Sequence, residues 1–320
     1  RFSPANYDVV NTTNSFGFRD RQVGFEEDLK GTWIFGDSNT FAMGLNDEDA
    51  YTAMLDAKNL PTANMAGLGS NVPRDLRIMD KMAELGGRPK QVLLALSMNF
   101  VPFDPNPVSP NEITGIVKVG PFNEFQEKLI NATRPESFLF RSIKTILLRN
   151  VALYGFIKSK MVSVPALRDW LRDRGLVQDI DIQSRGPAWM KDKARRADVE
   201  AAAADQADQI STLKEKAQKE FGSRFAVVLL PDYHHLYPSR FAKYLAYFKL
   251  APETQDAAQP YDALKAALQA RGIFVIDVLG PLRATNDPQL IFYNDSHYDR
   301  HGHVIFAQTI ADWITSGGSD

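Results

Sequence analysis

The sequence predicts an α/β fold in which a parallel sheet is covered by helices on both faces. Three strand–turn–helix units follow one another within about a hundred residues of the start, and consecutive units of this kind form right-handed parallel crossovers. Each predicted strand is a short apolar run that ends in glycine or polar residues, as buried strands do where they enter a turn. Two further strands and a closing helix complete a doubly wound sheet.

Apolar runs and helical stripes locate the individual elements. The first strand is predicted at 32–35, before Gly36, and the clearest strand is the segment QVLLALSMNF at 91–100. Tyr51, Met54 and Leu55 form one apolar stripe, which predicts a helix over 47–57. The remaining elements are predicted as strands at 61–65, 225–231 and 272–278 and as helices at 73–82, near 200–220, at 260–271 and at about 303–314.

The strand–helix pattern is interrupted in the middle of the chain. Residues 102–110 are rich in proline, and the segment that follows carries apolar stripes at helical spacing. It is too long for one crossover, so we predict a helical insertion or cap at about 105–200. We expect its stripes to pack against each other and the sheet; a lipid-facing surface is the alternative. The polar residues 1–30 are predicted to form an N-terminal arm, and 31–320 the main domain.

Composition excludes several classes of function. Among 320 residues, 44% are apolar and 24% charged, the net charge is −2, and lysine and arginine are scattered, so we expect no nucleic-acid partner. The absence of cysteine excludes thiolate nucleophiles and cysteine-ligated zinc. No apolar run reaches the roughly 18 residues that span a bilayer. The chain begins at Arg1, which is compatible with a signal peptide or membrane anchor upstream or with a cloning boundary; we favour an extracytoplasmic location.

Polar residues that follow the predicted strands form a set suited to acyl transfer. Ligands of open α/β sheets bind outside the carboxyl ends of the strands, where Ser38, Gly69 and Asn99 are expected. Ser38 offers a nucleophilic hydroxyl, His297 a base, and Asp295, two residues before it, a carboxylate to orient the imidazole. Gly69 can expose its backbone N–H and Asn99 a side-chain N–H to a developing oxyanion.

Four segments in order resemble the sequence blocks of the SGNH (GDSL-type) hydrolase family. They are GDSNTFAMG, NMAGLG, SMNF and DSHYDRHGH. The resemblance implies a flavodoxin-like three-layer α/β/α sandwich, nucleophile Ser38, base His297 and orienting Asp295. It also implies that the backbone N–H groups of Ser38 and Gly69 and the amide of Asn99 form the oxyanion hole. The third block departs from the family pattern, because Ser97 replaces a glycine and Phe100 an aspartate.

The predicted function is a serine esterase or acyltransferase acting on a small-molecule or glycan ester, with acetyl as one candidate acyl group. The reaction needs no cofactor. A non-catalytic carbohydrate-binding or polysaccharide-assembly protein that retains the fold is the alternative. A metal site at His297, His301 and His303 is disfavoured, because Gly302 argues against a regular helix there, so no metal is expected.

Structural roles are predicted for several other polar residues near these motifs. Asp37 is expected to brace the turn that carries Ser38, Asn64 to tie down its loop, and Asp299 to cap the last helix. Arg19, near the end of the arm, is expected to form a surface salt bridge; contact with an anionic substrate group is the alternative. Two histidines that follow the fourth predicted strand are expected to be hydrogen-bonded loop residues, namely His234 and His235.

Overall fold

The computed structural model describes residues 9–22, 24–69, 71–98, 188–287, 290–292 and 297–317. Most of the predicted insertion at about 105–200 lies outside these residues, as do Asn99 and Asp295. The predicted boundary between arm and domain stays a prediction. Among the described helices, none combines the length and apolar character that a membrane span requires.

A five-stranded sheet forms the centre of the molecule. Its strands are β1 (Thr32–Gly36), β2 (Thr62–Asn64), β3 (Gln91–Ser97), β4 (Arg224–Leu230) and β5 (Phe274–Asp277). They lie in the order β2–β1–β3–β4–β5, and every pair of neighbours is parallel. This is the flavodoxin-like order, in which the chain reverses direction across the sheet beside β1. The predicted parallel sheet is therefore confirmed.

Nine helices are found in the described part of the chain. They are α1 (Phe25–Asp28), α2 (Tyr51–Ala57), α3 (Val72–Glu84), α4 (Arg196–Phe221), α5 (Tyr233–Leu236), α6 (Pro238–Phe248), α7 (Gln259–Ala270), α8 (Leu279–Ala284) and α9 (Arg300–Thr315). Single 3₁₀ turns occur at Asp47–Asp49, Ala188–Lys191, Lys193–Arg195 and Pro252–Thr254. The predicted helix over 47–57 is thus a 3₁₀ turn followed by α2.

Helices cover both faces of the sheet and give the molecule three layers. Side chains alternate along a strand, so that Ile34 of β1 packs on one face while Trp33 and Phe35 pack on the other. The face with Trp33 buries apolar side chains of α3, α4 and α7, and the face with Ile34 buries those of α2, α8 and α9. The predicted α/β/α sandwich is confirmed.

The start of the last helix differs from the prediction. Helix α9 begins at Arg300 rather than at about 303, because the Asp299 side chain accepts the N–H groups of His301 and Gly302, at 2.9 and 3.1 Å. Gly302 lies in the first helical turn. A Cβ there would lie 2.6 Å from the Tyr298 ring and 3.1 Å from the Leu290 carbonyl oxygen, so glycine permits close packing instead of ending a helix.

Candidate active site

The structure brings Ser38 and His297 together at the carboxyl end of the sheet. Ser38 follows β1 directly, and His297 lies just before α9. The Ser38 hydroxyl oxygen is 2.7 Å from Nε2 of His297, and the two residues are only 6% and 8% exposed. This distance lies within the range expected of a nucleophile and its base.

Transfer of the Ser38 hydroxyl proton to His297 requires one particular tautomer of the imidazole. For the Ser38 hydroxyl to donate, Nε2 of His297 must carry a lone pair, so the imidazole proton must be on Nδ1. In hydrolases of this kind a carboxylate accepts that Nδ1–H and holds the ring. Asp295 is the predicted carboxylate, and because it lies outside the described residues its role stays a prediction.

Close packing explains the glycine that ends β1. A Cβ on Gly36 would lie 2.3 Å from the Thr40 hydroxyl and 2.9 Å from the carbonyl oxygen of Ala95 on β3. The chain therefore turns tightly against its neighbouring strand just before Ser38. This tight turn places the Ser38 hydroxyl at the carboxyl end of the sheet.

The loop after β2 carries the next predicted oxyanion donor. The Gly67 N–H donates to the Gly36 carbonyl at 3.1 Å, which fixes the loop beside the turn that leads to Ser38. Two residues on, Gly69 has a positive φ of 73°, and no atom lies within 4 Å of the place where a Cβ would be. An approaching group would meet the Gly69 backbone without obstruction. Asn99 lies outside the described residues, so the third donor stays a prediction.

A buried hydrogen-bond network connects β1, β3 and the His297 segment. The Asn39 amide donates to the Ser97 hydroxyl at 2.9 Å, and its oxygen accepts the Tyr298 N–H at 3.1 Å. The Asp37 carboxylate accepts the Asn39 N–H at 2.8 Å and a bond from Ser97. Ser97, the residue that replaces the family's glycine, thus joins the network. The network fixes Asp37 and Asn39 on either side of Ser38, and Tyr298 directly after His297.

Asp37 braces this turn as predicted. Burial raises its pKa, while the hydrogen bonds from Asn39 and Ser97 and the proximity of His297 act in the opposite direction. The carboxylate is therefore held by donors from two strands at a place that water hardly reaches. Its bonds maintain the shape of the turn.

Residues 187–319 match a family model described as "SGNH hydrolase-like domain, acetyltransferase AlgX". Over these residues the chain is similar to an SGNH hydrolase-like domain. The resemblance predicted from the four sequence blocks is thereby confirmed. The matched part is less than half of the chain; it includes β4, β5, His297 and α9 but begins after the segment with Ser38.

Several solved structures are similar over most of the chain, but only weakly. LAE5, an alpha/beta hydrolase from the metagenome of Lake Arreo, Spain, has 15% identity and a TM-score of 0.39, covering 90% of this chain and 96% of its own. A lipolytic G-D-S-L family member from Veillonella parvula has 11% identity, a TM-score of 0.40 and coverages of 89% and 97%. A variant of Axe2, an acetyl xylan esterase from Geobacillus stearothermophilus, has 11% identity and a TM-score of 0.37. It covers 89% of this chain and 94% of its own. TM-scores below 0.5 add nothing to the assignment. No curated protein matches the chain.

The other histidines of the matched region have separate partners. His303 is buried, its Nδ1 accepts the Tyr51 N–H at 3.1 Å, and burial lowers its pKa to about 3. His301 is exposed and pairs with Asp287 at 2.7 Å, which raises its pKa. His297, His301 and His303 therefore do not converge on one point. The expectation that no metal binds at this place stays a prediction.

Two more histidines follow β4 and are buried together with a lysine. His234 and His235 are not loop residues as predicted, because they lie in the short helix α5. His235 pairs with Asp232 at 2.6 Å, and Nδ1 of His234 lies 2.6 Å from the Lys191 ammonium. Neighbouring positive charges keep the pKa of Asp232 well below its usual value despite burial. This cluster holds the beginning of α5 in place.

Two residues of the N-terminal arm contact the turn after Ser38 and the end of β2. The predicted surface position of Arg19 is wrong, since its side chain is 3% exposed and donates to backbone carbonyls of 41–45 as well as to Asp47. Its neighbour Asp20 accepts the N–H of Asn64 at 2.7 Å. Asn64 ties down its loop as predicted. Its side-chain amide donates to the Thr40 carbonyl, and its side-chain oxygen accepts the Ala66 N–H.

Proposed function

We propose that the protein is a serine acyl-transfer enzyme that cleaves or transfers acyl groups of carbohydrate or related esters. The observation that carries this proposal is the 2.7 Å bond between the buried Ser38 hydroxyl and Nε2 of His297. The match of the C-terminal part to an SGNH hydrolase-like, acetyltransferase model supports acyl chemistry. Acetyl esters of sugars are therefore the first substrates to test.

The proposed reaction begins with attack of the Ser38 oxygen on the ester carbonyl carbon. The hydroxyl proton moves to Nε2 of His297, and the Nδ1–H bond to Asp295 stabilises the imidazolium. The N–H groups of Ser38 and Gly69 and the Asn99 amide stabilise the oxyanion of the tetrahedral intermediate. Removal of one such donor typically slows a reaction of this kind about 10²–10³-fold.

Collapse of the intermediate breaks the bond to the leaving alcohol. His297 returns its proton to that alcohol, and the acyl group stays on Ser38 as an ester. Water or an acceptor hydroxyl then attacks the acyl-enzyme, with His297 taking its proton and returning it to Ser38. Water as the second nucleophile gives an esterase, and a sugar hydroxyl gives an acyltransferase.

Labelling with a fluorophosphonate probe tests the nucleophile. The wild type is expected to label, whereas Ser38→Ala and His297→Ala are not. Ser211→Ala is the control, because Ser211 lies on α4 and bonds only to its own helix through the Ala207 carbonyl at 2.9 Å. A folded wild type that resists labelling, or a fully active Ser38→Ala, would refute the proposal and favour a non-catalytic binder.

A second measurement separates hydrolysis from transfer. The wild type is incubated with an activated acetyl ester, with and without an oligosaccharide acceptor, and free acetate and acetylated acceptor are quantified by mass spectrometry. An esterase releases acetate at the same rate in both samples. An acyltransferase forms acetylated acceptor, and Ser38→Ala forms neither product.

A further inference from the structure

The guanidinium of Arg19 binds the turn that follows the nucleophile. Its Nη1 donates to the Phe41 carbonyl at 2.8 Å and to that of Ala42, Nη2 donates to Leu45 at 2.6 Å, and Nε donates to Asp47 at 2.9 Å. The side chain is almost completely buried. A residue of the arm therefore satisfies three backbone carbonyls within the segment that begins at Ser38.

This turn needs an external donor because it does not continue as a helix. Ala42 is buried with a positive φ of 59°, which interrupts helical hydrogen bonding after a single turn. Within the turn, the Phe41 N–H donates to Asp37 and the Met43 N–H donates to Ser38, at 2.9 and 3.0 Å. The Ala42 carbonyl accepts the Leu45 N–H at 3.2 Å, but among the described residues no such backbone bond reaches the carbonyls of Phe41 and Leu45, which are costly to bury unpaired. Arg19 supplies the donors there.

Asp20 contacts the second loop of the site. β2 is an edge strand, and its last N–H, that of Asn64, donates to the Asp20 carboxylate at 2.7 Å. The Asn64 amide in turn donates to the Thr40 carbonyl at 3.2 Å, inside the nucleophile turn. The chain continues from Asn64 to Gly67 and Gly69. Arg19 thus binds the turn that begins at Ser38, and Asp20 binds the last residue of β2, which precedes the loop bearing Gly69. These two segments carry two of the three predicted oxyanion donors.

We propose that Arg19 and Asp20 are positioning residues that set the distance between the Ser38 turn and the loop bearing Gly69; this inference rests on the proposed acyl transfer. Neither residue touches the Ser38–His297 pair. Their effect is on the direction of the two backbone N–H groups, and a displacement of about 1 Å at a reacting centre can slow a reaction about 100-fold.

The experiment compares fluorophosphonate inactivation of the full chain in Arg19→Ala, Arg19→Lys, Asp20→Ala and Asp20→Asn. The limiting rate at saturating probe is separated from the half-saturating concentration, and thermal unfolding is recorded for each variant. Arg21→Ala is the matched control. Arg21 lies in the same arm and binds the fully buried Asp28, so its loss lowers stability without touching the nucleophile turn.

We expect Arg19→Ala to lower the limiting rate 10- to 100-fold with little change in the half-saturating concentration. Arg19→Lys keeps the charge but cannot reach all four acceptors, so a drop of at least 5-fold is expected. Guanidinium at tens of millimolar is expected to restore part of the Arg19→Ala rate. Asp20→Asn keeps an acceptor for the Asn64 N–H and is expected near the wild-type rate, whereas Asp20→Ala is slower.

The outcomes distinguish this inference from the proposed function. A wild type that does not label refutes the proposed function. A labelled wild type together with Arg19→Lys at the wild-type rate overturns the positioning role, whether or not Arg19→Ala folds. Equal slowing of Arg21→Ala and Arg19→Lys would also overturn it, because general destabilisation would then account for both.

Discussion

A group of three carboxylates beneath the edge strand allows a prediction about stability and pH. Oxygens of Asp20, Asp28 and Asp56 lie within 4.8 Å of one another, and Arg21 binds both oxygens of Asp28. The Asp56 carboxylate accepts the Thr62 N–H at 2.8 Å. Burial, and next the charge of Asp28, raise the pKa of Asp56 to about 7, and burial raises that of Asp20 to about 7.

The sign of the pH dependence of stability follows from these raised pKa values. A carboxyl whose pKa is higher in the folded than in the unfolded protein stabilises the fold when protonated, so that stability is lost as the pH rises from about 4 to 7. Each pKa unit corresponds to about 1.4 kcal/mol, which gives a ceiling of about 4 kcal/mol for Asp56. Partial exposure of Asp56 to solvent reduces this to about 1–2 kcal/mol.

We therefore expect Asp56→Asn to stabilise the protein at pH 8 and to change little at pH 4. The asparagine oxygen still accepts the Thr62 N–H, while the buried charge is removed. Urea unfolding of both proteins at pH 4, 6 and 8 measures the difference. Asp80→Asn is the control, because Asp80 is 59% exposed and pairs with Lys216 on the surface. A stability difference between Asp56→Asn and the wild type that shrinks as the pH rises would refute the reasoning.

Two further predictions concern the site itself. Asn39→Ala removes the acceptor of the Tyr298 N–H and the donor to the Ser97 hydroxyl. It is expected to lower the free energy of unfolding in urea by about 2–4 kcal/mol and to slow probe labelling, whereas Asn46→Ala, at an exposed position, has little effect. Gly69→Ala and Gly86→Ala both place a Cβ on a left-handed residue with open space around it, and each is expected to lower the free energy of unfolding by about 1–2 kcal/mol. Only Gly69→Ala is expected to slow labelling, by at least 10-fold. Equal labelling rates of the two variants would contradict the oxyanion role of Gly69.

Much of the fold was predictable because parallel strands are short apolar runs bounded by turn residues. β1, β3 and β4 are each almost fully buried, so their sequences carry no polar interruption. The rule that ligands bind at the carboxyl ends of such strands gave a set of polar residues. Within that set, the needs of acyl transfer and the resemblance to four sequence blocks singled out Ser38 and Gly69, and the last block added His297.

Other features could not be predicted, for identifiable reasons. α5 follows Pro231 and contains His234 and His235, a composition that suggests a loop; its helical form comes from the Asp232 cap and from burial of Tyr233 and Leu236 beside β4. Arg19 binds mainly to backbone carbonyls, which leave no trace in the sequence. A lone arginine in a polar segment therefore suggests a surface position, although the turn it binds is deep.

The bond between the serine and the histidine joins positions 259 residues apart, and the Asn39–Tyr298 bond spans the same interval. Contacts this distant form only after a long loop has closed, so they belong among the slow steps of folding. A ribosome must synthesise the chain as far as His297 before this contact can form. The acyl transfer proposed above therefore requires that the His297 segment has packed against the turn after β1.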